Sequence, residues 1–223
     1  MEILFVVLVI GFVIGAAILS GIAAKKRREA FEQLAAQLGL RFSAERDHGI
    51  ADQFSFLNKL AQGSNRYAYN VLSGEYQGHT VKIFDYHYET YSRDNKGNRR
   101  THHHHFSFFM LMMGRQFSEL TIGPEGFLSK IAQTFGYDDI DFESHEFSRQ
   151  FCVRSADKKF AYDVCHARTM EYLLANPDLV VEIEGPVLAL AFSRCLEPEQ
   201  VPGNLQRLLM LRSLLPEYLF ANR

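Results

Sequence analysis

Four consecutive histidines, His102-His103-His104-His105, are the residues of this chain best suited to chemistry. Imidazole titrates near neutral pH and binds transition metals through either ring nitrogen. In a strand, alternation sends His103 and His105 to one face and His102 and His104 to the other. The polar stretch Ser92 to Arg100, centred on Asp94-Asn95-Lys96-Gly97, reads as a hairpin loop. A loop turning about Lys96 places His87 opposite His105 and Glu89 opposite His103, with Cβ atoms about 5 Å apart across each pair. Three imidazoles and a carboxylate on one face could hold Zn²⁺. A one-residue slip scatters the set, and a hydrated hairpin end where histidine is merely tolerated is the competing reading. The sequence demands no cofactor; Zn²⁺ is the alternative that this cluster admits.

The other reactive residue types point to structure. Cys152, Cys165 and Cys195 are odd in number and form no CxxC pair, so they read as buried, small apolar residues. Cys165 and His166 are neighbours in sequence and so do not face each other on a helix. Asp85 sits inside a strand-like run where Asp is disfavoured. It is expected to accept a hydrogen bond from a neighbouring Tyr or Arg. The chain carries no P-loop, GxSxG, HExxH or dinucleotide fingerprint. A net charge of −2 gives no basic footprint for nucleic acid.

The elements that must position these residues begin with an uncharged run, Ile3 to Ala24. As a helix it would measure about 33 Å, enough to cross a bilayer core. The reading is a transmembrane anchor over residues 1–24, followed by a domain over 25–223. Lys25, Lys26, Arg27 and Arg28 follow the run, which places the carboxyl domain on the cytoplasmic side of a bacterial inner membrane. They would contact anionic headgroups there. Gly11 and Gly15 form a GxxxG pair, a candidate homodimer contact.

Phe31, Leu34, Ala35 and Leu38 continue at helical spacing, with Gly39 as a stop. Arg66 to Tyr76, His79 to Tyr91 and His102 to Met113 read as long antiparallel strands, the last apolar on both faces over Phe106 to Met113 and hence central. Helices are expected at 127–135, 167–175 and 204–215, a short strand near 140–142, and a hairpin across Glu184-Gly185-Pro186. The class is α+β: a mainly antiparallel sheet with flanking helices behind one N-terminal transmembrane helix. A weak repeat offers two related halves, 25–122 and 123–223. In it Leu34 to Gly39 parallels Ile131 to Gly136, and Arg66 to Val71 parallels Lys159 to Val164.

The run Asn70, Val71, Leu72, Gly74, Gly78, Val81, Phe84, Asp85 and Tyr86, with the later Phe160 to Val164, His166, Arg168, Met170 and Glu171, resembles two signatures of a family. That family consists of bacterial single-pass membrane-anchored proteins of unknown function. The resemblance implies an inner-membrane setting and brings no activity or site residue with it.

Two function classes follow. The first is a membrane-tethered binding or scaffold module at the cytoplasmic face, recognising a protein or small molecule. The alternative is a metal-dependent hydrolase working through His87, Glu89, His103 and His105, which requires a concave pocket at those residues.

Overall fold

A computed structural model describes residues 2–125 and 139–221; the side chains at 2–14, 16–18 and 20 lie outside what is described. The helix expected at 127–135 and the Ile131 to Gly136 member of the repeat lie outside it too.

The chain opens with one continuous helix, α1 (Glu2–Leu38). The expected membrane-crossing anchor is corrected here: among the described residues no helix is long and apolar enough to cross a membrane. Most side chains of the 3–24 run are outside the described set. Where side chains are described, α1 carries Lys25, Lys26, Arg27, Arg28, Glu29 and Glu32. Its apolar positions Phe31, Leu34 and Ala35 are spent on the protein's own core.

After α1 come β1 (Arg41–Ser43), α2 (His48–Gln53), β2 (Ser64–Tyr76), β3 (His79–Arg93) and β4 (Arg99–Pro124). Beyond residue 138 follow α3 (His145–Gln150), β5 (Phe151–Arg154), α4 (Lys158–Val164), α5 (Ala167–Leu174), β6 (Val180–Ala191) and α6 (Val201–Leu214). Among the described residues six strands form one sheet, and every pairing is antiparallel. Two apolar layers sandwich it. Val81, Ile83, Phe109 and Leu111 pack on one side with Phe31 and Leu34 of α1 and Leu205 and Leu208 of α6. Phe84, Tyr86, Phe106 and Phe108 pack on the other with Ile50, Phe54, Leu57 and Leu60.

The sheet is organised by β4. Its first part pairs with β3, and its later part pairs with β6 on one edge and β5 on the other. Phe108 to Leu111 are fully buried, as a central strand requires. Because β4 runs straight through residue 122, the sheet is continuous across the division between the two candidate halves. The matched stretches also differ in form: Arg66 to Val71 lie in β2, whereas Lys159 to Val164 lie in helix α4. That likeness is of sequence and not of structure.

Two local expectations are corrected. Residues 140–142 form no strand, although the Ile140 N–H donates to the Val153 carbonyl at 2.9 Å. The hairpin expected across Glu184-Gly185-Pro186 is one strand, β6, which pairs with β4 on both sides of an irregularity. Gly185 takes a φ of 55° there, so the Gly-Pro pair shapes a bulge in place of a turn.

One charged contact fixes α1 to the sheet. Asp85 is 1% exposed in the middle of β3. The Arg27 guanidinium reaches its two carboxylate oxygens at 3.3 and 3.0 Å and donates to the Leu196 carbonyl at 2.6 Å. Asn70 Nδ2 donates to the same carboxylate at 3.0 Å and Ser107 Oγ at 2.7 Å. A buried charge left without its partner is costly, so Arg27→Ala, which strips the counter-charge from Asp85, should lose about 3–5 kcal/mol of stability. Asp85→Ala should lose less, because Arg27 is partly exposed and keeps Glu197 and the Leu196 carbonyl. Urea unfolding measures both, and a loss below about 1 kcal/mol for Arg27→Ala would show that the contact does not hold the helix.

A second buried carboxylate links the turn after α2 to β6. Glu182 accepts the backbone N–H groups of Asn58 and of Lys59, the latter at 3.4 Å. Burial pushes Glu182 up to about 7, and burial with the neighbouring Glu119 charge raises Glu184 to about 7. Both groups bind a proton more tightly folded than unfolded. Their contribution is therefore fully present below the ordinary glutamate range and is lost as pH rises through about 7. The melting temperature should fall between mildly acidic and mildly alkaline pH, and Glu184→Gln should flatten that fall. Parallel wild-type and variant profiles would refute the assignment.

Candidate functional site

The site is built on the β3–β4 hairpin. Asp94 Oδ1 accepts the N–H groups of Lys96 and Asn98, each at 2.9 Å, which closes the loop as an Asx turn. From there the ladder runs without a shift from Arg93↔Arg99 to Val81↔Leu111. His87 lies opposite His105 and Glu89 opposite His103, the register that a loop about Lys96 implies.

Alternation splits the histidine run. His102 and His104 turn to Ser92 and Thr90, at 2.7 and 2.8 Å, and His104 stacks on Tyr88 with ring centroids 4.5 Å apart. His103 and His105 share the opposite face with His87, Glu89 and the Arg27–Asp85 contact. A bulge in β2 completes that face. The register shifts between Tyr69 and Leu72, and Asn70 takes a φ of 50°. Two consecutive side chains therefore point the same way: Asn70 toward Asp85, and Tyr69 toward His105.

Three of the four candidate ligands converge. One donor atom from each of His87, Glu89 and His103 lies within 4.8 Å of the others. His87 Nε2 is 3.1 Å from His103 Nδ1, and His103 Nδ1 is 3.6 Å from a Glu89 carboxylate oxygen. His105 is not part of this group: its Nδ1 is 3.1 Å from the Tyr69 hydroxyl, and its ring packs beside His87 at 4.8 Å. Burial, then the neighbouring His87 and His103, hold the His105 imidazole below its ordinary pKa.

The supporting contacts were not legible in the sequence. His87 Nδ1 is 3.0 Å from the Asn65 carbonyl. A carbonyl only accepts, so Nδ1 carries the proton and Nε2 presents its lone pair to the cluster. The His87 ring stacks on Tyr67 at 4.5 Å. Glu89 accepts from Asn65 Nδ2 at 2.6 Å and from the Tyr91 hydroxyl at 2.9 Å. These two hydrogen bonds hold its carboxyl below the ordinary range, so it is ionised at neutral pH.

The remaining reactive residues are quiet. Burial pushes Cys152 up to about 11 and Cys195 up to about 12, and raises Cys165 further still. None of these thiols is a ready nucleophile near neutral pH. His166 Nε2 is 2.9 Å from the Leu214 carbonyl and ties α5 to the end of α6. The four basic residues expected at a membrane surface do not act together. Lys25, Lys26 and Arg28 are exposed, whereas Arg27 is committed to Asp85, to Leu196 and, at 3.2 Å, to Glu197. A cavity of about 500 Å³ lies beside α6, lined by Asp178, Arg194, Gln200, Asn204 and Arg207 among others and by no histidine.

No family model and no curated protein matches the chain. Among solved structures, the chain is similar to the crystal structure of the mycobacterial trehalose monomycolate transport factor A. The TM-score is 0.58 at 14% sequence identity, with 86% of this chain and 96% of that chain covered. At that identity the likeness is one of fold.

Proposed function

We propose that the chain is a binding module, with the open face of β2, β3 and β4 as its recognition surface and α1 as the strut that carries it. The observation behind this reading is that the outer part of the face is exposed while its side chains are already fixed. The His103 side chain is 57% exposed yet bonded to His87. Tyr91 is 44% exposed yet donates to Glu89. A surface ordered before contact avoids about 0.5–1.5 kcal/mol of ordering cost per side chain on binding. Its mixture of Tyr, His and Glu suits a polar or charged partner. The similar structure is a transport factor, which supports an accessory role of this kind. The hydrolase reading is served less well, because the 500 Å³ cavity is lined by other residues.

Lys25, Lys26 and Arg28 extend the proposal to anionic headgroups at the inner face of a bacterial membrane, worth about 1 kcal/mol per residue near the surface. Vesicle binding that is indifferent to salt would remove that extension.

The main test is crosslinking in the native host, with a photoreactive residue placed in the full-length chain. Thr101 pairs with Tyr91 beside the site, whereas Thr80 lies in the same hairpin near the opposite end of β3. A discrete adduct from position 101 that is absent at position 80, and that weakens several-fold on Glu89→Ala, is the expected result. Equal adducts at both positions, or none at 101, would overturn the proposal.

A further inference from the structure

We propose that His87, Glu89 and His103 form a site for one divalent transition-metal ion, with Zn²⁺ the best chemical match. This inference rests on those side chains alone and stands whether or not a partner docks on the face.

Zn²⁺ binds imidazole nitrogen and carboxylate oxygen at about 2.0–2.2 Å in tetrahedral sites, which sets neighbouring donors about 3.3 Å apart. The two separations along the cluster, 3.1 Å between His87 and His103 and 3.6 Å between His103 and Glu89, bracket that value. The third separation, His87 to Glu89, is within 4.8 Å, so binding an ion draws those two donors together by up to about 1.5 Å. Two nitrogens and one oxygen form a borderline-hard set that suits Zn²⁺, Co²⁺ or Ni²⁺ better than Mg²⁺ or Ca²⁺.

The surroundings match what a metal ligand set requires. The Asn65 carbonyl fixes the His87 tautomer with Nε2 free to coordinate, an outer-shell contact typical of metal-binding histidine. Asn65 and Tyr91 hold Glu89 in place and ionised. One residue, Asn65, thus orients two of the three ligands, one through its backbone and one through its side chain. The left-handed conformation of Asn65, with φ of 49°, accompanies both contacts. With three protein ligands, a fourth tetrahedral position stays open toward solvent, where the His103 side chain is 57% exposed. That position is available to water or to an anionic group of a bound molecule.

The test uses full-length, tag-free protein titrated with Co²⁺ as a spectroscopic probe and then with Zn²⁺ by calorimetry. One equivalent of Co²⁺ should give visible bands of tetrahedral intensity that Zn²⁺ abolishes. His103→Ala, at an exposed position that folding tolerates, should weaken Zn²⁺ binding by about 100-fold or more. Tyr91→Phe, which removes only an orienting contact, should weaken it by about 10-fold. His105→Ala should leave stoichiometry and affinity unchanged. Three outcomes would overturn the site: no stoichiometric binding, binding unaffected by His103→Ala, or binding lost on replacing His102 and His104. The last would mean loose chelation by the histidine run.

Discussion

A buried carboxylate in the middle of a packed sheet is the constraint around which this protein is arranged. Asp85 stands in β3 between the apolar pair Ile83–Phe109 and the histidine pair His87–His105. A charge at such a depth is tolerated only when it is compensated on several sides at once. The compensation comes from remote parts of the chain: Arg27 of α1, Asn70 of the β2 bulge and Ser107 of β4. Ser107 Oγ also accepts the Leu196 N–H at 2.9 Å, which draws in the segment after β6. Helix, bulge, hairpin and C-terminal segment are thereby referred to a single atom group.

That reference point also divides the face on which it lies. On one side of Asp85 the alternating positions are apolar and covered by α1 and α6. On the other they are polar: the buried His87 and then the half-buried Glu89. Electrostatics thus marks where the apolar core gives way to a polar face on one continuous strand pair. The candidate site inherits its rigidity from the core two residues away, with no helix of its own to support it. Sites built on sheet in this way hold their geometry better than sites on loops.

The parts legible in the sequence were those governed by local rules. The register of β3 and β4 followed from one polar loop, because a short hairpin loop leaves little freedom in pairing. The central place of β4 followed from its two-sided apolarity, and Asp85 was flagged because its type fits a strand poorly. What escaped was non-local. Arg27 sits among three other basic residues, and nothing in their order marks it as the one paired with an aspartate in another element. Asn65 and Tyr69 carry no signal beyond being polar or aromatic near a strand. The apolar run before Lys25 has the length and composition of a span, whereas no described helix meets the requirements for crossing. Glu184-Gly185-Pro186 has turn composition, yet β4 supplies a partner on both sides of it, and tertiary pairing overrides local preference.

The shape of β6 carries a consequence for how the molecule meets others of its kind. Among the described residues β6 pairs with β4 alone, so it is the long outer margin of the sheet. Its residues Val187 to Ala191 are apolar and buried. A straight margin of that composition would be a template for another chain to extend the sheet, the first step toward aggregation. Pro186 has no N–H to offer an incoming strand, and Gly185 bends the backbone beside it. The two residues that give the segment the look of a turn deny a neighbour a flat edge on which to pair.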